Sequence, residues 1–202
     1  MITKFLSISI GLTWIFVSIS VAADVDPWAE SYRLEALTQY ENAAKTMDQI
    51  IAKNSNNDFA ISRRGWLNYL RGAHNDSIRD YERANAINPD SLEAKLGIML
   101  PLIAQQRWRE VTSYANKVLK ESPWNYYAHI RLMAAEEGER KWQTLASHAI
   151  AVSKRFPSDA TVFVYLARAN SWLKNDAEAR NAYQKVLERV PGHIEASQYL
   201  NH

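Results

Sequence analysis

Apolar side chains recur every three to four residues along most of this chain, the spacing that lines one face of a helix. Residues 160–193 show the pattern most plainly. Phe163, Leu166, Ala167 and Ala169 form one stripe, Lys174-Asn175-Asp176 interrupts it, and Ala179, Ala182, Tyr183, Val186 and Leu187 form a second. Two helices joined by a short polar turn are the expected element.

That hairpin recurs. Pro89, Pro123, Pro157 and Pro191 stand 34 residues apart in a chain with only six prolines, and a fixed period of that length marks a solenoid. With each proline taken as position 32 of a 34-residue unit, the units are 24–57, 58–91, 92–125, 126–159 and 160–193, and 194–202 is a short C-terminal cap. The last position of the units holds Asn57, Ser91, Asn125, Asp159 and His193. All but the histidine are strong N-caps, whose side-chain oxygen satisfies an unpaired N–H in the first turn. Each proline therefore closes one helix, and the residue two later opens the next.

Unit two carries Gly65, Gly72, Ser77, Tyr81, Ala84 and Pro89 at positions 8, 15, 20, 24, 27 and 32, and unit five carries the run from Asn175 to Leu187. On these residues the chain resembles the tetratricopeptide-repeat family over 24–193. The resemblance implies an all-α fold, a right-handed α-α superhelix of five hairpins whose first helices line a concave face. Units three and four depart from the family pattern. Their normally small positions 8 and 20 hold Met99 with Val111 and Met133 with Leu145, while the usual aromatic at position 24 shrinks to Ala115 and Ala149. Volume added at one contact is removed at another, as a close-packed interior requires. Both units also carry a tryptophan at position 17, Trp108 and Trp142. Pro101 lies inside the first helix of unit three, where its ring is expected to kink the helix over Gly97 to Pro101.

The resemblance also implies a groove built from positions 2, 5, 6, 9, 12 and 13 of each first helix. In the first two units these include Trp28, Tyr32, Phe59, Arg63, Trp66 and Tyr69; in the third, Leu96, Leu100 and Ile103. Tyr127, Ile130 and Arg131 follow in the fourth, and Val164, Tyr165, Arg168 and Trp172 in the fifth. Aromatic residues and arginine dominate binding hot spots, each worth roughly 2–4 kcal/mol when a partner buries it. The lining suits a peptide or amphipathic helix with hydrophobic anchors and an acidic group. The family's carboxylate clamp is not carried over, because among its positions in units two to four only Arg131 has the required character.

Charge and composition narrow the function. Lys and Arg number 24 against 22 Asp and Glu, so no strong field draws nucleic acid or an anionic membrane. There is no cysteine, which removes disulfides, thiolate metal sites and cysteine nucleophiles. The five histidines show no metalloprotease spacing; His129 and His148 can meet across one hairpin, but two imidazoles without a third ligand hold a metal poorly. Glu136-Glu137-Gly138-Glu139 reads as a solvated turn. No catalytic constellation and no cofactor motif is present, so a non-enzyme without cofactors is expected.

Residues 1–23 differ from the rest. Lys4 is their only charge, Phe5 to Val21 is mostly apolar, and Val21-Ala22-Ala23 closes the run, the form of a secretory signal cleaved after Ala23. The alternative is an uncleaved anchor, and either form places the repeats outside the cytosol, periplasmic or secreted. The expected function is a protein-binding scaffold of the cell envelope, with other envelope or secreted proteins as partners. A glycan- or lipid-binding accessory role in polysaccharide export is the alternative, and self-association through the cap a further possibility.

Overall fold

The computed structural model describes residues 26–201; the signal and its cleavage point lie outside them. Eleven helices and no strands occur among the described residues. They run α1 (Pro27–Ala36), α2 (Tyr40–Lys53), α3 (Asp58–Leu70), α4 (His74–Ile87), α5 (Leu92–Ala104) and α6 (Trp108–Glu121). The second half holds α7 (Tyr126–Gly138), α8 (Trp142–Arg155), α9 (Ala160–Trp172), α10 (Asp176–Arg189) and α11 (Ile194–Asn201). Each helix packs on the next, and α3, α5, α7 and α9 also touch in succession as an inner layer. The stack is an all-α solenoid of five hairpins and a final single helix.

The caps explain where the hairpins join. Asn57, Ser91, Asn125 and Asp159 each accept the backbone N–H three residues on, at 2.9–3.2 Å. Asp26 does the same for α1. His193, not a preferred cap, plays that part for α11 with Nδ1 accepting from the Ala196 N–H. The four ladder prolines each stand two residues beyond the end of a second helix.

Inside each hairpin the turn has its own regularity. Thr38, Gly72, Gln106, Arg140 and Lys174 all adopt left-handed backbone, with φ between 56° and 80°. In each, the following N–H reaches back five residues to the first helix, as Gln39 does to the Leu34 carbonyl at 2.9 Å. This Schellman closure satisfies carbonyls that a helix end leaves unpaired. Only Gly72 occupies the conformation without Cβ strain.

The core runs along the stack as three successive clusters, the first spanning α1 to α7, the second α7 to α9 and the third α9 to α11. Met99, Val111, Ala115, Met133, Leu145 and Ala149 are fully buried, so the large-for-small exchange of the two central units takes place inside the core. In the second unit Tyr81 fills the corresponding space. Its ring lies against Gly65, and a Cβ on Gly97 would stand only 2.2 Å from Tyr81 Cε1. Pro101 does not break α5, which continues to Ala104; the carbonyl of Gly97 simply receives no N–H from it.

One sequence expectation needs correction. Glu136 is buried within α7, and only the end of the acidic run is a turn. Packing the second helix of the hairpin against α7 encloses a side chain that charge alone placed in solvent. On α11, Ala196 is buried and Tyr199 lies 4.6 Å from Tyr183, but Ile194 is 73% exposed, because the cap docks through its other face.

Candidate functional site

The inner layer presents most of the expected band. Tyr32, Phe59, Tyr127 and Trp172 are exposed; Trp28, Trp66, Tyr69, Leu96, Leu100, Ile103, Ile130, Arg131, Tyr165 and Arg168 are half-buried. Arg63 and Val164 are buried and leave little to a partner. The aromatics form local groups: Trp28 lies 5.1 Å from Phe59 and Trp66 5.7 Å from Tyr69, by ring centroids. Trp172, at the end of α9, stacks on Trp142.

The three arginines separate into two kinds. Arg63 is sealed at one end of the band: Nη1 pairs with Glu35 at 2.5 Å, Nε donates to Ser31, and the guanidinium lies 3.9 Å from the Tyr32 ring centre. Its Nη2 is buried without a partner. The Trp66 indole donates to the same Glu35 at 2.7 Å. At the other end Arg168 grips Glu195 of α11 through two bonds of 2.6 and 2.8 Å, and Glu137 stands 3.3 Å away. Hydrogen bonding to Glu195 holds the Arg168 guanidinium well above its ordinary value, while that bond, against some burial, keeps the carboxyl of Glu195 below the usual range.

Arg131 differs. Its Nη1 donates to the Leu96 carbonyl at 2.5 Å, and its guanidinium lies 5.8 Å from the Tyr127 ring. Among the described residues no carboxylate pairs with it; the titratable groups around it are Tyr81, Tyr127 and Tyr69, which are uncharged near neutral pH. Burial pulls it below its ordinary value, with the tyrosines opposing. A guanidinium half-removed from water without a counter-charge is electrostatically unsatisfied.

Sequence reading missed Glu35 and Glu137, which neutralise two of the three arginines. Both occupy position 12 of their units, itself a groove position, and that shared register is the signal that marks them. Glu195 and the ring of Tyr81 were also missed. Among the described residues no group of three or more His, Asp or Glu is arranged to hold a metal, and no helix is long and apolar enough to cross a membrane.

A tetratricopeptide-repeat family model matches residues 161–193, which contain most of α9 and all of α10. The fold matches solved tetratricopeptide structures over most of its length. YrrB, described as a TPR protein with an unusual peptide-binding site, is 14% identical with a TM-score of 0.72, covering 87% of this chain and 91% of its own. MamA from Desulfovibrio magneticus RS-1, from residue 41 to its end, is 14% identical with a TM-score of 0.76 over 83% of this chain and 95% of its own. PilW, a widely conserved type IV pilus biogenesis factor, is 16% identical with a TM-score of 0.75 over 87% of this chain and 84% of its own. No curated protein matches significantly. The matched repeat and the shared architecture define the class: a tetratricopeptide-type α-solenoid fold with a tetratricopeptide repeat at residues 161–193.

Proposed function

We propose that the protein is a non-catalytic scaffold whose concave face binds a peptide or helix of a partner protein. The observation that carries this reading is Arg131, half-buried at the middle of an aromatic and aliphatic band with no carboxylate partner among the described residues. A segment with one acidic residue between hydrophobic anchors supplies what that surface lacks. Tyr127 and Leu96 lie beside the arginine and receive the anchors. The fold shared with YrrB, which has a peptide-binding site, supports a peptide ligand.

The setting we propose is the cell envelope. The support is the sequence of residues 1–23, read as a secretory signal cleaved after Ala23, with the repeats 24–193 beyond it. A fold shared with a pilus biogenesis factor agrees with an assembly role there. Selection from a random peptide library, followed by calorimetry beside envelope glycans and lipid vesicles, tests the ligand class. Enriched peptides with one acidic residue between apolar anchors are expected. Binding of glycan or lipid with no peptide enriched overturns the reading.

A further inference from the structure

His129 of α7 and His148 of α8 meet at 2.9 Å, Nδ1 to Nε2. The other nitrogen of each ring is also engaged. His129 Nε2 lies 3.0 Å from the Pro123 carbonyl, and His148 Nδ1 lies 2.9 Å from Glu136 Oε2. The four groups form a continuous chain from the α6–α7 turn, through α7 and α8, back to α7. His129 and Glu136 are buried, and His148 is largely so. This chain is also the principal polar tie in a hairpin whose two helices pack less closely than those of any other.

The proton count of the chain follows from its geometry. A carbonyl only accepts, so His129 Nε2 carries a proton that it donates to Pro123. Its Nδ1 is then the acceptor for a proton on His148 Nε2. The third bond, between His148 Nδ1 and Glu136, needs one proton more. Three bonds hold three protons, and with the carboxylate the trio is electrically neutral. One further proton falls on His129 Nδ1 and sets N–H against N–H at 2.9 Å. The count that completes the chain is therefore unique.

We propose that the His129–His148–Glu136 chain is a proton-counted latch that holds α7 to α8 near neutral pH and releases them in mild acid. His148 from α8 and Glu136 from α7 are the charges acting on His129; the α6–α7 turn contributes only the Pro123 carbonyl and the Trp124 ring, 5.6 Å away, and no group on α5, α6 or α9 adds to them. Burial, aided by His148, depresses the affinity of His129 for a second proton below its ordinary value of 6.5. Below pH 6.5 both imidazoles of the opened hairpin take up a proton, and the folded hairpin, already complete, binds fewer protons than the opened one. Stability present at neutral pH falls as pH drops below the ordinary histidine value toward the depressed one. Because α7 also carries Tyr127, Ile130 and Arg131, release loosens the middle of the groove; that consequence rests on the proposed binding role, whereas the latch itself does not.

Side-chain nitrogen NMR and amide exchange on the unliganded protein test the latch, so its failure is distinct from failure of the groove. At neutral pH, His129 is expected as the Nε2–H tautomer, with its Nδ1 accepting from His148 Nε2. On acidification, protonation of His129 is expected to coincide with loss of protection in α7 and α8, after correction for intrinsic exchange, approaching about tenfold per pH unit for one linked proton. His148→Gln is expected to flatten that slope. Titration of His129 at or above 6.5, or without loss of protection, overturns the proposal whether or not the variant folds.

Discussion

The indole planes of Trp142 and Trp172 are 4° from parallel with centroids 5.1 Å apart, joining the fourth hairpin to the fifth. One unit earlier the equivalent tryptophan, Trp108, covers Gly138, where a Cβ would lie 2.4 Å from Trp108 Cε2. Trp108 and Trp142 thus do the same work, each lying over the end of the next unit's first helix. Trp172 is 61% exposed, so its removal mainly costs the stacking term, about 1 kcal/mol. Thermal unfolding of Trp172→Ala is expected to show a Tm lowered by about 2–4 °C.

A larger penalty is expected at Gly97. A methyl there meets the Tyr81 ring at 2.2 Å, and the ring is wedged against Gly65 on its other side. Gly97→Ala is expected to destabilise by about 1–3 kcal/mol in urea titration, the range for overpacking a filled core. Gly192→Ala, with nothing within 4 Å of the new carbon, is the control and should change stability little.

The left-handed turns give a change of opposite sign. Thr38 holds φ at 58°, a conformation that a β-branched residue adopts only under strain. Thr38→Gly relieves that strain while adding freedom to the unfolded chain. A net gain of about 0.5–1 kcal/mol is expected from the same titration.

These turns show what could be read in the chain and what could not. Asn57, Ser91, Asn125 and Asp159 announced the hairpin joints because a cap is a local bargain between one side chain and an N–H three residues away. The left-handed residues recur with the same period, yet Thr38, Gln106, Arg140 and Lys174 give no sign of it. Their conformation is imposed by closing the hairpin against the strain of each side chain. The groove was legible as a band and illegible in its charge. Arg63 and Glu35 lie in different units, and only stacking those units brings them together. Pairing of that kind depends on superhelical geometry, which no single-residue preference encodes.

Acid should undock the last helix. Hydrogen bonds from Arg168 and Tyr183 keep the carboxyl of Glu195 below its ordinary value despite partial burial. The folded state therefore binds that proton less readily than the unfolded one, and the contribution to stability is complete only above the ordinary carboxylate value. It is lost as pH falls from about 4.5 through the depressed folded value. Amide protection in α11 is expected to decline over that interval, and Glu195→Gln should remove the dependence.

The central claim concerns Arg131 as the acidic-group receptor of the groove, and a double-mutant cycle addresses it most directly. The measurement pairs Arg131→Gln with a Glu→Gln exchange in a selected peptide, at fixed neutral pH. A buried charge-assisted contact gives a coupling of about 1.5–3 kcal/mol, so each single change should weaken binding about tenfold or more and the second should add little. Independent, additive losses, or unchanged affinity in Arg131→Gln, would contradict it.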